Sequence, residues 1–124
     1  ILFRFEPEKI NYRFNIYPSY STGFFIRKRL HKKIGLYNTK INFGADYDLI
    51  FKLLKDKRFK GMVAKKNELF GKFDLNGYSS KIPFYKSYYY ESKIRYENGQ
   101  GILFVTILYF LRILNKFRNI LYNR

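Results

Sequence analysis

The chain has 124 residues, which is enough for one small domain with a single modest core, or for part of a larger domain. Aromatic residues make up 22% of it, so there is ample bulk to bury and disorder is disfavoured; the absence of cysteine excludes a disulfide framework and a thiolate metal site. Its 25 Lys and Arg against 9 Asp and Glu give a formal charge of +16, and this excess predicts an anionic partner: nucleic acid, anionic lipid or a phosphorylated substrate.

A short strand and a basic helix are predicted in the first part of the chain. In residues 1–20, Pro7 and Pro18 break any long helix or strand. The run Phe24-Phe25-Ile26 predicts a short buried strand. A basic helix over 27–33 follows and ends near Gly35, a residue type common at helix C-caps. Its cations either contact phosphate groups of a lipid-linked acceptor or form a solvated helix face.

The most informative stretch is an amphipathic helix predicted over 46–55, with apolar residues at helical spacing: Leu49, Ile50, Leu53 and Leu54. Asp46 precedes these residues on the same face, so it opens the side of the helix that turns toward the core. Asp48 lies on the other side, four residues before Lys52, where a solvated ion pair is expected. Asp46 has two compatible interpretations: it caps the helix N-terminus, or it is a general base at the edge of a cleft.

Two strands and a loop are predicted after this helix. The strands cover 61–64 and 68–73 and flank a polar turn over 65–67. The loop over 74–80 contains Asn76-Gly77, a pair that favours positive φ and a tight turn.

A helix is predicted over 84–98 and ends at Asn98-Gly99. It combines tyrosines with basic residues, a composition compatible with base stacking and phosphate contacts. No DNA- or RNA-binding signature accompanies them, and tyrosines at helical spacing more often pack inside a protein. A nucleic-acid partner is therefore disfavoured.

The last helix carries a narrow apolar seam with steps of four and three residues: Leu103, Ile107, Phe110, Leu114, Phe117 and Leu121. The polar residues of the opposite side are Arg112, Asn115, Lys116 and Asn119. The apolar run over 102–110 is too short to span a bilayer, which needs about 20 residues. Three interpretations stay open: binding to an anionic membrane surface, which we favour slightly, packing on the protein body, and a short dimeric coiled coil.

Four motifs occur in an order that resembles family 2 glycosyltransferases: Phe24-Phe25-Ile26-Arg27-Lys28, Lys33-Ile34-Gly35-Leu36-Tyr37-Asn38, Ala45-Asp46-Tyr47-Asp48-Leu49 and Asn76-Gly77-Tyr78-Ser79. The likeness covers residues 18–80. It implies an α/β fold, the acceptor-side half of a GT-A domain, with added C-terminal helices. Two positions depart from the family pattern: Ala45, where many members have Glu, and Asn76, where the family has a paired glycine.

The resemblance also implies the roles of particular residues. Asp46 matches the catalytic base of an inverting sugar transfer, and the loop residues Asn76, Gly77, Tyr78 and Ser79 would lie beside the acceptor cleft and contact sugar hydroxyls. The donor would be a nucleotide sugar. The acceptor would be a growing glycan, or a lipid-linked one on the cytoplasmic face of the membrane, in surface polysaccharide synthesis.

The family's Asp-x-Asp motif, which holds a divalent metal (Mg or Mn) and the sugar diphosphate, does not occur upstream of Asp46. The chain also begins at Ile1. We therefore expect residues 1–100 to be the C-terminal part of a catalytic domain whose N-terminal nucleotide-binding half is missing, and 101–124 to be an amphipathic basic helix. Such a fragment would be inactive alone, and its parent would be cytoplasmic and peripheral at the inner membrane face. The alternatives are a basic nucleic-acid-binding module and a non-catalytic membrane-surface remnant.

Overall fold

The computed structural model of the chain describes residues 16, 23–56, 58–61, 72, 74 and 76–122. Its helices are α1 (Lys28–Ile34), α2 (Ala45–Lys55), α3 (Phe84–Glu97) and α4 (Ile102–Tyr122), with a 3₁₀ helix at Tyr78–Lys81. The helix α3 packs on both α2 and α4, and α1 packs on α2. The four helices predicted from the sequence are confirmed, with ends within two residues of those expected.

The predicted fold class is wrong. We expected an α/β fold, the acceptor-side half of a GT-A domain, whereas the described residues form helices and contain no strand. The run Phe24-Phe25-Ile26, predicted as a buried strand, is irregular, and Phe25 is 75% exposed. The strands predicted over 61–64 and 68–73 lie outside the described residues, except for Gly61 and Lys72. A short apolar run specifies a strand only where a neighbouring strand pairs with it, and three apolar residues do not encode that partner.

The helix α2 is the centre of the core. Seven of its 11 residues are buried, including apolar side chains on both sides of the helix. A cluster joins Tyr47, Ile50, Phe51 and Leu54 of α2 to Ile94 of α3 and to Ile16. Helix α2 therefore holds its first turn, which carries Asp46, in a fixed position.

Gly44 determines where α2 begins. It is the N-cap residue, with φ of 85° and ψ of 23°, a left-handed conformation that favours glycine. A Cβ atom at this position would lie 3.0 Å from Cδ1 of Ile94, a residue that is only 3% exposed. The absence of a side chain thus permits both the turn and the close approach of α3.

We expect Gly44→Ala to destabilise the protein more than Gly99→Ala. Both positions have positive φ, at 85° and 89°, so each substitution costs about 1–2 kcal/mol in backbone strain. At Gly99 the new Cβ would meet only Nζ of Lys55, the end of a flexible side chain, at 3.3 Å. Overpacking against Ile94 adds about 1–3 kcal/mol to Gly44→Ala alone. Urea unfolding of both variants measures the difference, and equal losses would contradict the proposed contact with Ile94.

Candidate functional site

Asp46 lies in the first turn of α2, as the sequence predicted. Its side chain is half-buried, and its Oδ1 accepts a hydrogen bond of 2.9 Å from the backbone N–H of Tyr47. Burial is the main cause that raises the pKa of Glu91 of α3, and the negative charge of Asp46 adds to it. Asp46 therefore lies at the border between solvent and the buried part of α2.

Asp48 is placed differently from the prediction. The expected ion pair with Lys52 is confirmed, with Nζ and Oδ2 2.6 Å apart. However, Asp48 is only 3% exposed, so the expectation of a solvated carboxylate is wrong. The reason is tertiary: the end of α3 covers this side of α2, and Nδ2 of Asn98 donates a hydrogen bond of 2.8 Å to Oδ1 of Asp48. Asp48 thus joins α2 to the end of α3.

Three charged side chains are buried between the helices: Glu91 and Arg95 of α3 and Arg112 of α4. The first contact of this buried charge cluster joins Arg95 to Tyr47 of α2. Arg95 is fully buried, and its Nε donates a hydrogen bond of 2.7 Å to the Tyr47 hydroxyl. Its Nη1 donates to Oε1 of Gln100 at 3.1 Å. Burial raises the pKa of Tyr47 to about 12, against the opposing effect of the Arg95 charge, so the phenol stays protonated at neutral pH.

The second contact of this cluster is the ion pair between Glu91 of α3 and Arg112 of α4. Nη1 of Arg112 and Oε2 of Glu91 are 2.6 Å apart, in an ion pair whose angles do not make a well-aligned hydrogen bond. The Arg112 guanidinium also lies over the ring of Tyr88, with Cζ 4.0 Å from the ring centroid. Burial raises the pKa of Glu91, and the charges of Arg112 and Arg95 only partly oppose this.

Glu91, Arg95 and Arg112 were not singled out from the sequence. Glu91 and Arg95 are four residues apart and so share one face of α3, a spacing that could have marked them as a pair. The contact of Arg112 with Glu91 depends on how α4 docks on α3, for which the sequence carries no local signal.

The loop predicted to contact sugar hydroxyls forms a compact turn. The backbone N–H of Asn76 donates to Oδ1 of Asp74 at 2.8 Å, and the carbonyl of Gly77 accepts hydrogen bonds from both the backbone and the hydroxyl of Ser80. Tyr78 and Ser79 then begin the 3₁₀ helix. The described hydrogen bonds of this loop join residues within 74–80. Its predicted place beside the acceptor cleft stays a prediction.

Asp46-Tyr47-Asp48 is itself an Asp-x-Asp sequence, but its geometry does not suit a shared metal ion. Residues two apart on a helix point to different sides, and Lys52 and Asn98 engage both oxygens of Asp48. Across the described ranges, no three His, Cys, Asp or Glu side chains converge as a set of metal ligands. The residues that the structure describes thus do not fit the divalent metal that the resemblance implies.

Comparison of the chain with protein-family models, with curated proteins and with solved structures finds no match. The candidate site therefore rests on its own residues and geometry.

We expect Tyr47→Phe to reduce the free energy of unfolding by about 1–3 kcal/mol, because the buried Nε–H of Arg95 loses an acceptor. Tyr96→Phe is the matched control, since Tyr96 is 53% exposed and the same atom is removed. Its effect should stay within about 0.5 kcal/mol. Urea unfolding of both variants provides the measurement, and equal effects would mean that the Tyr47–Arg95 hydrogen bond contributes nothing to stability.

The stability difference between the wild type and Glu91→Gln should depend on pH. The pKa of Glu91 is raised above 4.5 in the folded state, so the folded state takes up this proton at a higher pH than the unfolded chain does. The resulting stabilisation is complete below pH 4.5 and is lost as pH rises through the folded-state pKa. Lowering the pH from 7 to 4.5 should therefore stabilise the wild type relative to Glu91→Gln.

Urea unfolding at both pH values tests this expectation, with Glu97→Gln as the control because Glu97 is half exposed on the same helix. For Glu97→Gln the difference from wild type should change little between pH 7 and 4.5. A difference for Glu91→Gln that is constant with pH would show that burial of Glu91 does not favour its protonated form.

Proposed function

We propose that this chain is part of an inverting glycosyltransferase and that Asp46 is its general base. The observation that carries the proposal is the position of Asp46: a half-buried carboxylate in the first turn of α2, the most buried of the described helices. The order of the four motifs that resemble family 2 glycosyltransferases supports the same activity. The proposal does not depend on the α/β fold, which the described residues contradict.

In this proposal Asp46 accepts the proton of an acceptor hydroxyl while the hydroxyl oxygen attacks the anomeric carbon of the donor sugar. The new carbon–oxygen bond forms as the bond to the nucleoside diphosphate breaks, and the electron pair of the broken bond leaves with the diphosphate. The N–H of Tyr47 donates to one oxygen of the carboxylate and so orients it. The buried side chains of α2 keep this first turn rigid, which favours proton transfer in a fixed geometry.

The donor-binding residues are proposed to lie elsewhere in the same protein, because no Asp-x-Asp precedes Asp46 in this sequence. A divalent metal (Mg or Mn), when bound in the whole transferase, would stabilise charge on the leaving diphosphate. We assign none of its ligands to the described residues, since these do not fit such a site.

The proposed acceptor is a glycan, or a lipid-linked glycan, in surface polysaccharide synthesis. Helix α1 supports an acceptor that carries phosphate, because its cations are exposed and none of its residues is buried. The proposed location is the cytoplasm, peripheral at the inner face of the membrane. The chain alone, without a donor site, is expected to be inactive.

Asp46→Asn in the protein that contains this chain should lower kcat by about 10²–10⁴-fold, because the general base is lost, while donor binding persists. The assay measures release of the nucleoside diphosphate from a panel of UDP- and GDP-sugars with glycan acceptors, and isothermal titration measures donor binding. Turnover within a few-fold of the wild type would show that Asp46 is not the base.

Asp48→Asn is the matched control, because the same change falls two residues away at a buried carboxylate with structural partners. It should reduce the free energy of unfolding, because its ion pair with Lys52 is lost, and leave kcat of the folded enzyme within a few-fold of the wild type. If no sugar nucleotide is turned over and the chain instead binds any DNA or RNA strand with steep salt dependence, the nucleic-acid-binding alternative is correct.

A further inference from the structure

The apolar seam of α4 faces solvent. All six of its residues are more than half exposed: Leu103 74%, Ile107 51%, Phe110 58%, Leu114 64%, Phe117 52% and Leu121 72%. Further exposed apolar side chains flank it: Ile102, Leu111, Ile120 and Tyr122. From Leu103 to Leu121 the seam extends over about 27 Å, at 1.5 Å per residue. An apolar surface of this length marks an interaction site.

The side of α4 opposite to the seam packs on the protein body. Its buried residues are Val105, Leu108 and Arg112, and Arg112 is held by Glu91 and Tyr88 of α3. One seam residue also touches α3, since the ring centroids of Phe117 and Phe84 are 5.7 Å apart. Helix α4 is therefore attached to α3 through a side that contains a buried arginine, and its broad apolar side is directed outward.

The charge that α4 places beside the seam is positive. The helix contains no acidic residue, and Arg118, which flanks the seam, is exposed. The whole chain has a formal charge of +16. A surface that combines an apolar stripe with cations is complementary to a membrane with anionic lipids. The acyl chains pack against the stripe, and the phosphates attract the cations.

A second copy of the chain fits this seam less well. With the seam residues at the a and d positions of a heptad, the flanking e and g positions hold Phe104, Leu111 and Arg118, and Thr106, Ile113 and Ile120. None of these residues is acidic, so no salt bridge between helices could offset the repulsion of two strongly basic chains.

We propose that α4 binds parallel to the surface of an anionic membrane, with its apolar seam at the boundary between headgroups and acyl chains. None of the helices in the described ranges combines the length and apolar content that crossing a bilayer requires. Arg118 contacts lipid phosphates beside the seam. This inference rests on α4 and its charges, and it holds whether or not Asp46 is a catalytic base.

The test is flotation of the full chain with vesicles of phosphatidylcholine containing 30% phosphatidylglycerol, and with vesicles of phosphatidylcholine alone. We expect the chain to float with the anionic vesicles and to be partly released by 0.5 M NaCl, because salt screens the contacts of its cations. The double variant Leu103→Gln/Leu114→Gln should bind roughly 100-fold more weakly, about tenfold for each buried leucine.

The matched control is Leu36→Gln, the same substitution at a residue that is equally exposed, at 74%, but lies outside α4. It should keep binding within twofold of the wild type. Circular dichroism at 222 nm should give the same helix content for all variants, since each changed side chain is exposed.

Two outcomes would overturn the proposal. One is that the wild-type chain floats with neither kind of vesicle, or that Leu36→Gln weakens vesicle binding as much as the double variant does. The other is a concentration-dependent dimer, found by sedimentation equilibrium without vesicles and abolished by Leu103→Gln/Leu114→Gln, which would make a second copy the occupant of the seam.

Discussion

Two charged side chains of α3 determine how three helices meet. Arg95 reaches α2 through the Tyr47 hydroxyl, and Glu91 reaches α4 through Arg112. Both are buried. A buried ion pair that loses one partner destabilises a protein by about 3–5 kcal/mol, and a buried donor that loses its acceptor by about 1–3 kcal/mol. Helices α2 and α4 therefore cannot slide along α3 independently without leaving Arg95 or Glu91 uncompensated. The position of Asp46, at the start of α2, follows from the same constraint.

The same pair of contacts explains the orientation of α4. Sequence periodicity shows an apolar seam and a polar side but does not say which of them faces the protein. In most surface helices the apolar side is buried; here Glu91 supplies a buried carboxylate, and Arg112 on the less apolar side of α4 neutralises it. The described part of the interior is thus organised partly by charge, and the apolar seam of α4 stays on the surface.

The helices were predictable because their signals are local. Gly35 and Gly44 bound α1 and α2 through backbone conformations that glycine favours, and the Asp48–Lys52 ion pair follows from a spacing of four residues. The burial of Asp48 was not predictable, since it depends on Asn98, 50 residues away. The α/β fold was predicted from motif order and from short apolar runs, neither of which specifies the pairing of strands. For the candidate site, the sequence indicated Asp46 and missed the buried charges Glu91, Arg95 and Arg112, whose contacts form only when α3 packs on α2 and α4.

The connection between α3 and α4 has a consequence for any change in chain length. It is short and ordered: the backbone N–H groups of Gly99 and Gln100 donate to carbonyls in the last turn of α3, and the carbonyl of Gly101 accepts the N–H of Val105. One residue inserted between Asn98 and Ile102 would break these hydrogen bonds and lengthen the linker, so that α4 would no longer begin at a fixed point relative to the end of α3. The short linker thus helps to hold Arg112 against Glu91, and with it the outward direction of the apolar seam.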